Sequence, residues 1–310
     1  MKSISVRCRS VAVIAGVFCL AGASTGARAD DGAAKSTTEA PAFPTVGSDD
    51  IFGYTSGSEL GNAGDTGFAN ENDGRLGKRD GGYGALDAKY EFSHAVTADW
   101  WIAASSFLAW NHVRNVGGFP DKNTFDFDGF STELAHRIVT RSPANPWGVT
   151  LSVEPRWSRV DAETGFPSQA FGFQAKVFVD RALSPDKAYW AANLLWGPQW
   201  AQDPLVPGNT LVSSTTTVST ALSWQFTPGW FVGAEARYFA TFARVVPDHL
   251  QGQALFVGPT LLWKVNDKIS LNATFQPQVW GRSQMAPGLA LDLDNFERAM
   301  FRLKLAWQLN

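Results

Sequence analysis

Four groups of charged residues stand at spacings that let one face of an extended chain collect them: Glu154 with Arg156, Lys176 with Asp180, Glu235 with Arg237, and Arg302 with Lys304. In a strand, residues two or four apart point the same way, so each group aims its charge into one space. If that space holds water, the chemistry on offer is electrostatic selection among passing solutes. If it is narrow, paired charges simply fill it. Arg298, Arg302 and Lys304 would together favour anions, with Glu154 and Glu235 available to neutralise them. Bond-making chemistry finds less support. His94, His112, His136 and His249 are scattered and lack metal-ligand spacing. There is no GxSxG, HExxH or P-loop pattern, and no histidine is followed two residues on by serine, as in barrel lipases and deacylases. No catalytic residue, metal site or cofactor is expected. The acidic stretches Asn70-Glu71-Asn72-Asp73 and Asp292 with Asp294 are expected in loops, as solvated charge or as ligands for a divalent cation shared with lipopolysaccharide phosphates.

The elements that would position these charges are strands. In WGVTLSVEPRW, Trp147, Val149, Leu151, Val153, Pro155 and Trp157 alternate with Thr150, Ser152, Glu154 and Arg156. Ten residues part the two tryptophans, roughly 26 Å along the axis of a barrel whose strands tilt by about 40°. That matches the roughly 25 Å apolar band that aromatic girdles edge in membrane barrels. Trp100 with Trp110 and Trp190 with Trp200 repeat the spacing, and Trp230 and Trp307 are expected in the same girdles. Alternating segments fall at 49–60, 80–94, 99–113, 124–140, 147–161, 169–183, 187–202, 209–227, 230–246, 251–265, 268–283 and 295–309. Short links at 95–98, 141–146, 184–186, 227–229 and 266–267 take turns with longer ones at 61–79, 114–123, 162–168, 203–208, 247–250 and 284–294. The fold expected is all-β: a transmembrane up-and-down antiparallel β-barrel of about 12 strands, short turns and both termini on the periplasmic side. A soluble barrel would show the same alternation with the faces exchanged. Strands of roughly 15 residues, against the usual five or six of soluble proteins, favour the membrane. Pro155, Pro198, Pro259 and Pro277 fall within these segments, and three of them, in EPRW, GPQW and QPQVW, predict bulges near the outer rim.

Residues 1–29 read as a cleaved export signal, with Lys2, Arg7 and Arg9 before VAVIAGVFCLAGA and Ala27-Arg28-Ala29 before Asp30. Residues 30–48 read as a flexible periplasmic leader, and 49–310 as the barrel. Cys8 and Cys19, the only cysteines, lie in the signal, so the mature chain would have no disulfide or thiolate metal site. Losing the signal takes formal charge from −3 to about −7, which makes nucleic acid an unlikely partner. No later run of about 18 apolar residues could cross a membrane as a helix.

The IFGYTSGSELG opening, the EPRW segment and the closing FRLKLAWQLN together resemble the porin-like outer-membrane β-barrels of proteobacteria, over residues 49–310. The resemblance implies a Gram-negative outer-membrane location among lipid and lipopolysaccharide, and insertion by the barrel assembly machinery. That machinery reads an alternating last strand usually ending in an aromatic, whereas this one ends Trp307-Gln308-Leu309-Asn310. Three functions are then open. One is a passive channel for small hydrophilic solutes through a charged lumen lined by Glu154, Arg156, Lys176, Asp180, Glu235, Arg237, Arg298, Arg302 and Lys304. The second is a transporter of apolar or aromatic compounds using inward Phe178, Phe239 and Trp280, and the third a non-conducting barrel plugged by 61–79 and 284–294.

Overall fold

The computed structural model describes residues 51–142, 144–184, 187–206 and 208–310, so the expected export signal and leader lie outside the described residues. Twelve strands follow one another: β1 Thr66–Leu76, β2 Gly82–Ala95, β3 Trp100–Arg114, β4 Lys122–Val139, β5 Trp147–Val160, β6 Pro167–Ser184, β7 Ala188–Gln202, β8 Thr210–Thr227, β9 Trp230–Phe242, β10 Leu250–Lys264, β11 Ile269–Ser283 and β12 Ala299–Gln308. Each pairs antiparallel with its sequence neighbours, and β12 returns to β1 through Phe68↔Trp307 and Asp73↔Arg302, closing the barrel. Closure leaves no unpaired sheet edge.

Alternation decides what each face meets. Along β5, Trp147, Leu151, Val153 and Trp157 are exposed on the outside, while Thr150, Ser152 and Glu154 are buried inside. The same sorting puts Leu222 and Trp224 of β8, Leu261 and Trp263 of β10, and Leu303, Leu305 and Trp307 of β12 outward. Asn193, Ser219, Glu235, Thr260, Asn272 and Gln276 point inward and are buried. An apolar exterior around a polar interior is the arrangement a bilayer stabilises and water opposes. The chain is a transmembrane up-and-down antiparallel β-barrel.

Two expectations need correction. The opening segment 49–60 is not a strand: residues 51–60 lie inside the barrel, and β1 comes from the stretch expected to be an outer loop. Ile51 and Phe52 break period two, and Gly53, Gly57 and Gly61 weaken any strand there. The β1 residues Ala69, Glu71, Asp73 and Arg75 do alternate, but Asn70 and Asn72 occupy the outward face where apolar side chains are expected. The outer link after β1 therefore shrinks to 77–81, and 284–298 is the longest link among the described residues. The prolines, in turn, open gaps in the ladders, and only Pro277 has a bulge within two residues, at Val279. Pro155 pairs with Phe173 of β6, but its β4 side is unpaired between Ser131↔Arg156 and Leu134↔Val153. Pro198 pairs with Ser214, Pro259 with Ala234 and Pro277 with Ala299, each beside a gap on its other flank. One missing N–H opens one side of a strand and leaves the other intact.

Candidate functional site

Twelve strands about 4.8 Å apart, tilted by about 40°, close into a ring roughly 24 Å across. Inward side chains about 5 Å deep leave a bore of roughly 14 Å. Residues 51–60 cross that bore. The Ser58 N–H donates to Asp180 Oδ2 at 2.8 Å and its hydroxyl to Oδ1 at 3.0 Å, while Thr150 Oγ1 donates to the Ser58 carbonyl at 2.6 Å. These tie one end to β5 and β6. Farther along, Tyr54 N–H donates to Glu235 Oε2 at 2.9 Å, and Thr55 gives Oε1 both its N–H and its hydroxyl at 2.5 Å. Gln276 Nε2 holds the same carboxylate at 2.7 Å, and Asn272 Nδ2 donates to the Phe52 carbonyl at 2.6 Å. The Tyr54 ring lies 3.8 Å from the Arg237 guanidinium and 4.4 Å from that of Arg302. Its attachments on this side reach from β9 to β12, half-way round the ring from β5 and β6. A chain of about 10 Å width, the spacing of stacked sheets, occupies most of such a bore.

Sequence and packing agree on why this segment fits. A Cβ at Gly53 would stand 2.5 Å from Glu235 Oε2 and 2.9 Å from the side chains of Thr260 and Thr274, so only glycine admits the close approach. On the wall, a Cβ at Gly148 would collide with the Ser58 hydroxyl. Ile51 and Phe52 are buried against Tyr189, Ala191, Ala221, Phe231 and Leu262, an apolar cluster inside a mostly polar lumen.

The charged side chains gather at mid-height on the wall formed by β12, β1, β2, β4, β5 and β6. Arg302 makes a two-pronged bond to Asp73, 2.6 Å from Nε and 2.7 Å from Nη2, and Lys304 lies 3.2 Å from Glu71. Lys176 bridges Glu154 at 2.5 Å and Glu133 at 3.1 Å, Lys89 holds Glu91 at 2.6 Å, and Arg156 pairs with Asp128 while covering the Phe107 ring at 3.8 Å. The outer mouth is tied separately. Asp292 and Phe296 of the 284–298 link are buried, and Lys78 stands 3.6 Å from both Glu163 and Glu297. Burial raises the Glu163 carboxyl above its ordinary value against the pull of Lys78.

Of the residues singled out in the sequence, Glu154, Arg156, Lys176, Asp180, Glu235, Arg237, Arg302 and Lys304 point inward. Arg298 does not line the lumen: it is exposed just before β12 and donates to the Lys78 and Arg79 carbonyls at 3.0 and 3.2 Å. Same-strand spacing misassigns the partners. Asp180 holds the crossing segment rather than Lys176, and Glu71 and Asp73, not Glu154 or Glu235, neutralise Lys304 and Arg302. Those two acids were expected in a loop, as solvated charge or as ligands for a divalent cation; among the described residues no group of three or more His, Cys, Asp or Glu could hold a metal ion. Glu71, Asp73, Lys89, Glu91, Asp128 and Glu133 were missed, although the Ala69–Glu71–Asp73–Arg75 alternation carried a signal. Phe178 and Phe239 face inward, but Trp280 is exposed. It pairs with Leu255, which lies between inward Ala254 and Phe256, because a bulge on β11 exchanges the faces. Trp100, Trp110, Trp147, Trp157, Trp200 and Trp307 are exposed on the outer surface. Trp190 packs edge-on against Trp147 and Trp230 stacks on Trp263 there.

A model described as a family of unknown function, DUF6662, matches residues 44–309. A comparison with curated proteins gives no match. Among solved structures, the COG4313 outer membrane channel from Pseudomonas putida F1 is similar at 14% identity and TM-score 0.53, over 81% of this chain and 98% of that one. The KdgM porin in complex with disordered oligogalacturonate is similar at 6% identity and TM-score 0.45, over 79% and 99%. The TodX monoaromatic hydrocarbon channel deltaS2 mutant follows at 10% identity and TM-score 0.39, over 82% and 93%.

Proposed function

We propose that this chain, which belongs to the DUF6662 family of unknown function, is an outer-membrane channel of a Gram-negative bacterium that lets small hydrophilic solutes diffuse past a built-in constriction. The observation that carries this reading is the two-signed charged wall from β12 through β6. Lysines, arginines and carboxylates held in mutual pairs at mid-height present polar contacts to a solute without binding it tightly. Residues 51–60 narrow the bore beside that wall and set a size limit. Near-balanced charge on that wall gives weak discrimination between anions and cations, because the field of each cation in those pairs is largely cancelled by its carboxylate. The lipid-facing tryptophans form the two girdles, and β12, with Leu303, Leu305 and Trp307 outward, is the strand the assembly machinery reads.

The crossing segment also favours a second reading, a barrel plugged for good, which differs in one observable. Proteoliposomes carrying the purified protein are expected to swell in glycerol or a pentose, with the rate falling steeply toward a trisaccharide. Failure to swell in any of these solutes would contradict the hydrophilic channel and favour the plugged barrel.

A further inference from the structure

Six inward-facing cations of the strands are ion-paired, and Arg137 instead donates to the Gly61 and Ala98 carbonyls. Arg75, Lys89, Arg156, Lys176, Arg302 and Lys304 each have a carboxylate within 4 Å. Among the described residues no ion pair reaches Arg237, and its Nη1 is buried with no hydrogen-bond partner. Both oxygens of Glu235, two residues away, are taken by Tyr54, Thr55 and Gln276, so that carboxylate attracts Arg237 only through space. What Arg237 does meet is aromatic. Its guanidinium lies 3.8 Å from the Tyr54 ring and 4.7 Å from the Phe239 ring. Phe239 packs on Phe256 and Phe296 at 5.6 and 5.8 Å. Arg302 stands 4.4 Å from the same Tyr54 ring, and the Tyr54 hydroxyl is itself buried without a partner.

An unpaired cation in a confined space is costly, and a bound anion relieves that cost. A ring placed against two guanidiniums gains cation–π attraction. We infer that Arg237, with Arg302 and the Phe239 cluster, is a binding site for aromatic carboxylates, and that Tyr54 of the crossing segment occupies it when no ligand is present. The ligand's ring takes the place of the Tyr54 ring, and its carboxylate accepts the open Nη1–H of Arg237. Recognition would be charge-assisted, geometrically defined and absent for a neutral ring. The site deepens the channel reading, on which it rests for the ligand's access from the bore, but it is tested by binding rather than by passage.

Benzoate titrated into the detergent-solubilised full chain, read by calorimetry, is the probe. Benzoate is expected to bind, with acetate and benzyl alcohol each weaker by at least about tenfold, the loss of one charged hydrogen bond or its equivalent. Arg237→Gln is expected to weaken benzoate by at least about tenfold, and Tyr54→Ala, which removes the competing ring, to strengthen it severalfold. Each variant is first confirmed as folded by its heat-dependent gel mobility. Unchanged benzoate affinity in folded Arg237→Gln, acetate binding as tightly as benzoate, or no binding even to Tyr54→Ala would each overturn the site. Benzoate binding by a barrel that fails to swell liposomes would instead refute the channel and leave the site standing.

Discussion

Replacing Leu151 by arginine is expected to destabilise the barrel by about 2–4 kcal/mol, the penalty for a cation near the bilayer midplane of a membrane barrel. Leu151 is 44% exposed on the outer surface, between Val149 and Val153 on its own strand and beside Val177 of β6. It stands six residues from Trp157 and four from Trp147, so neither interface is near enough for an arginine to reach without tilting its stem. The measurement is a denaturant titration of the folded protein in lipid vesicles, with Gln174→Arg as the comparison. Gln174 pairs with inward Glu154, so an arginine there meets the lumen and is expected to shift stability by less than about 1 kcal/mol. Equal effects of the two substitutions would mean that the outer face is not in lipid.

Glu235→Ala is expected to free the crossing segment without opening the barrel. The carboxylate accepts the Tyr54 and Thr55 N–H groups, the Thr55 hydroxyl and the Gln276 amide, all buried except the half-buried Tyr54 N–H. Hydrogen bonds to a charged acceptor contribute about 1.5–3 kcal/mol each, and the two backbone donors would lose theirs outright. Protection of the Tyr54 and Thr55 amides against hydrogen exchange should fall by at least about tenfold, while the strand amides keep theirs, since local opening free energies are separate from the global one. Protection retained at both amides would show that the Ile51–Phe52 cluster and the Asp180 end hold the segment by themselves.

The contrast between what the chain announced and what it concealed has physical causes. From β2 to β12 the strands lie close to their alternating runs, because each buries a polar face inside and shows an apolar one outside. β1 escaped notice because Asn70 and Asn72 put amides on its outward face, where Asn72 Nδ2 donates to Asn70 Oδ1 at 2.7 Å. The segment before it passed for a strand because Ile51, Phe52 and Tyr54 are apolar, though they face the lumen wall rather than lipid. Charged residues were legible as inward, but their partners were not. Lys176 meets Glu154 diagonally across β5 and β6, and Arg302 meets Asp73 only because β12 closes on β1, a register that no local spacing contains. Arg237 could not be identified as lacking a carboxylate within 4 Å until the segment had claimed Glu235.

The proposed channel requires residues 51–60 to constrict a water-filled bore. Its most direct test is single-channel conductance in a planar bilayer, comparing the intact chain with one lacking residues 51–60 and joined at Gly61. With a bore of roughly 14 Å mostly filled by that segment, the intact protein should show small steps and the shortened one steps at least about threefold larger. Equal conductance in the two proteins, or none in either, would contradict it.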